Sequence, residues 1–293
     1  MLWLILVFIA LIVWTFESVI DKFVISHDLK DPVTLITIFG LIFGMIFLVV
    51  GVFLGDNFFN QKVLSWAAIG GVLYMIAVWF YFYLMEYGEV SRIIPIMSLK
   101  PLVVVAISFF VFSERLDLMG VAGVIIIVVG AILISYSKTK RKIKKSHFFG
   151  GAAIAVIAFS LRNIIIEYVT ESASVWSFLF WLGIMMILVA LVVFVIHHPR
   201  IKKKAQLQGI QIMTATFFLS GCGTVLFFKA IELGSASMVT ALSATMPLFV
   251  FVVITLISKY HPKFIHEKIS RPILIRKLVA IVFIILGSVL LLV

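Results

Sequence analysis

Hydrophobic residues run through this chain in long blocks separated by short polar joints. Ten blocks, at approximately 2–25, 33–54, 64–86, 91–112, 117–136, 148–169, 174–196, 207–231, 236–258 and 272–293, come close to the roughly 20 residues with which a helix crosses a hydrocarbon layer about 30 Å thick. None alternates with the period of a barrel strand. Backbone groups in lipid must be satisfied within their own segment, so each block is expected to be a helix. The joints leave no room for a soluble domain. The first block has neither a basic leader nor a small-residue cleavage site, and reads as a first span rather than a signal peptide. The expected fold class is an all-α integral membrane protein with ten transmembrane helices.

The fourth block, with the joint before it, recurs in altered form. Gly88, Ser91 and Pro101 match Gly234, Ser237 and Pro247, all at a separation of 146 residues. Two related halves are therefore expected: a five-helix repeat over 1–137, a basic linker at 138–147, and a second five-helix repeat over 148–293. An odd number of spans per half inserts the second half upside down, giving inverted repeats that can alternate access to a site between them. Gly88 and Gly234 are read as glycines that permit tight reversals. Ser91 is read as a helix cap, and Pro95, Pro101 and Pro247 as residues that bend the helices they interrupt.

Composition agrees with the pattern: 63% of residues are hydrophobic and 13% charged. The formal charge of +11 would suit nucleic acid, but its placement argues for orientation instead. Basic residues gather at 138–145, 200–204 and 259–277, joints that all fall on one side of a ten-span chain. That side is expected to be cytoplasmic, with both termini outside and the basic loops against anionic lipid of the cell membrane. No nucleic-acid partner is expected. Cys222 is the single cysteine, so an internal disulfide is excluded. His27, His147, His197, His198, His261 and His266 lie at or near joints, and no zinc-protease, nucleophile-elbow or phosphate-loop motif occurs. An enzyme, a metal site and a cofactor are not expected.

The candidate chemistry lies in polar groups within the spans. Trp14, Glu17, Ser18 and Asp21 share one face of the first helix. Their counterparts 146 residues on are Ser160, Asn163, Ile164 and Glu167, with Arg162 beside them. Trp79, Tyr83 and Glu86 share a face of the third span, and Val225, Lys229 and Glu232 take the matching positions of the eighth. The fourth span carries Arg92 and Lys100, with Ser91, Pro95 and Ser98 on a face roughly opposite Lys100 in a straight helix. An ionisable group within a span costs at least about 2.5 kcal/mol, so such groups face a cavity or a partner. Asp21, Lys22 and Glu167 are close enough to helix ends to snorkel instead, and Trp79 and Tyr83 also suit an interfacial belt. Lys100 serves equally as a substrate contact or a structural ion pair, since Glu17, Asp21, Glu86, Glu167 and Glu232 are all available to it. Arg92 and Lys100 occur in one copy only, which favours specificity over architecture. The second span, with Gly40 and Gly44, reads as packing scaffold.

The stretch GEVSRIIPIMSLKPLVVVAISFFVFSERLDLMGVAGVIIIVVGAILI resembles the EamA domain of the drug/metabolite transporter superfamily. The likeness rests on the glycine turn, the serine, the proline-bearing helix, the pair Glu114 and Arg115, and a glycine-rich fifth helix. Trp14 and Lys22 likewise match a tryptophan and a lysine of that family's first helix. The second half departs from the pattern, with Tyr260 and His261 in place of the Glu-Arg pair and EKIS at 267–270 as a displaced equivalent. The resemblance implies a ten-helix secondary transporter with a central cavity lined by the first, third, fourth, sixth, eighth and ninth spans. It would export an amino acid or a related polar or amphipathic metabolite. From the residues themselves, and not from the resemblance, proton coupling is expected through Glu17 or Glu86, with Lys100, Arg92 or Arg162 holding an anionic part of the solute, in a monomer or homodimer. A flippase for a drug or lipid-linked sugar, and a membrane receptor or structural protein, are the alternatives.

Overall fold

The computed structural model describes residues 2–27, 29, 31–56, 60–111, 118–135, 145–198, 204–260 and 271–290, and every element among them is helical. In chain order the helices are α1 (Leu2–His27), α2 (Pro32–Leu54), α3 (Gln61–Tyr87), α4 (Val90–Met97), α5 (Lys100–Val111) and α6 (Leu118–Ser135). The second half follows with α7 (Lys145–Thr170), α8 (Val175–His197), α9 (Lys204–Leu233), α10 (Ala236–Ser243), α11 (Met246–Tyr260) and α12 (Arg271–Leu290). Counting α4–α5 and α10–α11 each as one interrupted helix gives ten. Among the described residues, eight stretches are long and apolar enough to cross a bilayer, which makes this a multi-pass membrane protein. Residues 138–144 of the basic linker, Glu114, Arg115 and residues 267–270 lie outside the described residues, while residues 145–147, expected as linker, form the first turn of α7.

Local sequence sets the helix ends. Asp31 caps α2 by accepting from the Val33 and Thr34 amides, with Pro32 pre-set as the first helical residue. Asn60, Ser174 and Ser235 cap α3, α8 and α10 in the same way. At the other end of α3, Lys22 of α1 donates to the carbonyls of Met85 (2.5 Å) and Gly88 (2.7 Å). These are acceptors that a helix C-terminus leaves without an internal donor, and a cation is favoured there.

Two helices expected to bend are broken outright. Between α4 and α5 the Leu99 amide bonds to the Ile96 carbonyl, and that of Leu102 to Leu99. Between α10 and α11 the Thr245 amide bonds to Leu242 and that of Leu248 to Thr245, the same pairs shifted by 146 positions. Pro101 and Pro247 lack the amide hydrogen that would reach back to Met97 and Ser243, so the ladder resets at that point.

The glycine turns differ from expectation. Gly88 has φ −114° and ψ 168°, ordinary extended backbone, and among the described residues no glycine has positive φ. The position is tightly packed rather than sharply turned: a Cβ would lie 2.9 Å from Ile93 Cδ1 and 3.1 Å from the Phe148 ring, so both side chains would have to shift to admit one. Nor does Ser91 cap α4. Glu89 occupies that position without a side-chain bond, and the Ser91 hydroxyl instead accepts from Lys277 Nζ at 2.6 Å.

The halves interlock. α2 packs on α8, α6 on α12, α3 on α7 and α1 on α9, and each pair joins one half to the other. Gly40 lies against Met186 and Ala190, Gly44 against Gly183 and Ile187, and Gly51 against Phe180, so α2 and α8 run antiparallel. Gly130 meets Ala280 and Gly287 meets Gly123, which makes α6 and α12 antiparallel as well. Lipid supplies no hydrophobic drive between helices, so close backbone approach at small residues carries the association.

Candidate functional site

Where the two broken helices approach α1, α3, α7 and α9, the fold leaves a cavity of about 110 Å³, room for several waters or a small solute group. α1 contributes Trp14, Glu17 and Ser18, and α3 contributes Tyr74, Val78, Tyr81 and Phe82. The α4–α5 joint brings Ile94, Met97, Ser98 and Lys100, and the α10–α11 joint brings Ser243 and Met246. Phe159 and Arg162 come from α7, Ser220 and Thr224 from α9, and Phe39 and Phe43 from α2. The last pair corrects the reading of the second span as scaffold alone: its glycine face packs on α8 while an aromatic face walls the cavity.

Arg162 is held among aromatic rings. Its guanidinium carbon lies 4.2 Å from the Tyr74 ring centre, 4.8 Å from Phe228 and 5.2 Å from Phe159, contacts that favour a cation and fix its plane. Nε and one terminal nitrogen both donate to Asn163 Oδ1, at 3.2 and 2.7 Å. Lys100, the first residue of α5, places its ammonium 5.6 Å from the Phe159 ring, and its carbonyl accepts from Ser160 Oγ at 3.3 Å. Among the described residues neither cation forms an ion pair. Two cations and the Glu17 carboxyl thus face one small space walled by aromatic rings, an arrangement able to hold a solute anion and a solute cation at separate points.

The EamA-like transporter family matches the chain over residues 1–136. A stretch of 78 residues is 35% identical to an uncharacterized protein of Methanocaldococcus jannaschii, covering 27% of this chain and 57% of the relative; the chain spans little more than half of that relative's length. A solved crystal structure shares the fold at a TM-score of 0.66 and 16% identity, over 98% of this chain and 95% of its own. The fold therefore extends across both halves, while the family match covers the first.

Trp14 and Lys22, the two α1 residues expected from the sequence to match the EamA pattern, have distinct contacts. Trp14 crosses to the second half, its indole N–H donating to Thr224 Oγ1 at 3.2 Å while its ring lies 4.8 Å from Phe227. Lys22 closes the end of α3. Asp21 is completely buried rather than snorkelling to an interface.

Several sequence-selected residues lie elsewhere. The cavity face of α3 is Tyr74, Val78, Tyr81 and Phe82, so Trp79, Tyr83 and Glu86 fall outside the lining. Trp79 sits near the His197 ring and Tyr83 against Tyr87. Lys229 pairs with Glu232 and lies 5.2 Å from the Trp176 ring, while Glu232 accepts from the Val175 amide at 3.0 Å; together they tie α9 to the start of α8. Arg92 is buried with its guanidinium carbon 4.7 Å from the Phe148 ring, outside the lining. Glu167 is half-buried near the end of α7, and Asn163 stands behind Arg162. Phe39, Phe43, Tyr74, Tyr81, Phe159, Ser220, Thr224, Ser243 and Met246 were missed. The spacings Tyr74–Val78–Tyr81 and Ser220–Thr224 were the available signals, each a single face of its helix.

Proposed function

We propose that this protein is a secondary transporter of the drug/metabolite superfamily that moves a small solute, an amino acid or a related polar or amphipathic metabolite, outward across the cell membrane. The observation that carries the reading is the mainly apolar cavity between the halves, in which Arg162, Lys100 and Glu17 are set among seven aromatic rings. The two cations would hold the solute's carboxylate, Glu17 its amine, and the rings its apolar body. The halves would act as inverted repeats that exchange conformations. The reading draws support from the antiparallel pairing of α2 with α8 and of α6 with α12, and from the identical resetting of the backbone ladder at both broken helices.

Counterflow with a panel of radiolabelled amino acids in proteoliposomes tests the proposal. Saturable exchange that weakens in Glu17→Gln is the expected result, and no exchange with any solute would remove it. The aromatic walls favour one second reading: saturable movement of an amphiphile without amino-acid exchange would make the protein a flippase.

A further inference from the structure

A second acid lies one helical turn from the cavity and takes no part in lining it. Asp21 follows Glu17 by four residues on α1, so both carboxyls leave the helix on one face. Its side chain is 0% exposed. Oδ2 accepts from the Tyr81 hydroxyl at 3.2 Å, and Tyr81, itself a cavity residue, also lies 3.5 Å from Ser18 Oγ. Oδ1 has no hydrogen-bond partner among the described residues.

Among the described residues the surroundings supply no compensating charge. α3, α4, α9, α10 and α11 all pack on α1, yet the titratable groups set against Asp21 are Tyr81 from α3 and Glu17 from its own helix. Lys22, its neighbour in sequence, is directed to the carbonyls ending α3. An ionised carboxyl here would be a buried anion beside a second acid, with one oxygen uncompensated, a state that costs several kcal/mol or more. A proton on Oδ1 removes that charge and leaves the Tyr81 bond to Oδ2 intact.

We propose that Asp21, with Tyr81 and Ser18, forms the binding site of the coupling proton. The assignment rests on the transport reading above and moves the coupling role from Glu17 or Glu86 to Asp21, leaving Glu17 to the solute. In each cycle Oδ1 takes one proton from water on one side of the membrane and returns it to water on the other. Only that O–H bond forms and breaks, and Tyr81 links the site to the cavity.

Two measurements on the full-length protein test this separately from transport itself. Infrared spectra of the detergent-purified protein across a pH titration should contain the carbonyl band of a protonated buried carboxyl, lost in Asp21→Asn and kept in Glu17→Gln. Absence of the band in the unaltered protein, or its persistence in Asp21→Asn, overturns the proposal. In proteoliposomes loaded with a radiolabelled amino-acid mixture, Asp21→Asn should lose the dependence of flux on the pH gradient, whereas Glu17→Gln should weaken flux at every gradient and keep that dependence. Retained dependence in Asp21→Asn, or drive by a sodium gradient at fixed pH in the unaltered protein, overturns it. Where Asp21→Asn fails to elute as a folded species, Tyr81→Phe takes its place; an unshifted pH profile of its flux has the same consequence. Absence of any flux in the unaltered protein removes the transport reading, and the infrared titration alone then decides the proton site.

Discussion

Arg162 shows how one side chain is made into a receptor group. Three aromatic rings and the Asn163 carbonyl oxygen fix the guanidinium plane, and a lysine could keep the charge but neither the stacking nor the paired donors. Arg162→Lys is accordingly expected to weaken solute binding by about 1–2 kcal/mol, roughly tenfold, read as the half-saturating concentration in counterflow. Its neighbour Lys100 has Met246 as its counterpart in the second half. The cavity therefore carries its cations unevenly even though both joints border it. This asymmetry was legible in the sequence, because Lys100 stands alone in a repeated stretch. The aromatic setting of Arg162 was not, because its rings come from α3, α7 and α9.

At the scale of elements, glycine is used where a helix must touch another helix. A Cβ on Gly183 would lie 2.6 Å from the Gly44 carbonyl and 2.7 Å from the Leu48 amide, backbone atoms that cannot swing aside. A Cβ on Gly150 would meet nothing within 4 Å. Gly183→Ala is thus expected to destabilise the protein by about 1–3 kcal/mol. Gly150→Ala should stabilise it by about 0.5–1 kcal/mol through helix propensity. Thermal unfolding in detergent separates the two directions. The broken helices make a second prediction. Pro101→Ala restores a donor that can reach the Met97 carbonyl, so α4 and α5 can join into one rod. The expected result is retained solute binding with slowed exchange, measured as equilibrium binding against counterflow rate.

For the whole molecule, the α1–α9, α2–α8, α3–α7 and α6–α12 contacts all cross between halves, so each half completes the packing of the other. Lys277 of α12 adds a polar joint, donating to Glu89 at 2.9 Å and to Ser91 at 2.6 Å where α3 gives way to α4. It binds the second half to the broken helix of the first. Orientation also belongs to this scale. With the basic loops inside, an alkaline phosphatase fused to the C-terminus is expected to be active and a fluorescent protein fused there dark. The opposite pair of results would reverse the topology.

The sequence by itself determined what depends on solvent and on neighbours along the chain. Block length against bilayer thickness located the long helices, Pro101 and Pro247 marked the two that are interrupted, and the 146-residue spacing of the sequence recurs in the backbone bonds at both interruptions. It also placed Trp14, Glu17, Ser98, Lys100 and Arg162 among the candidates that line the cavity. Only the tertiary structure decided which helical face turns inward. In lipid both faces of a span are apolar, so on α3 the stripes at Tyr74 and at Trp79 read alike until α7 and α8 pack against it and leave Tyr81 beside Asp21. The close packing at Gly88 likewise involves a neighbour distant in sequence, since the Phe148 ring would have to shift to admit a side chain there.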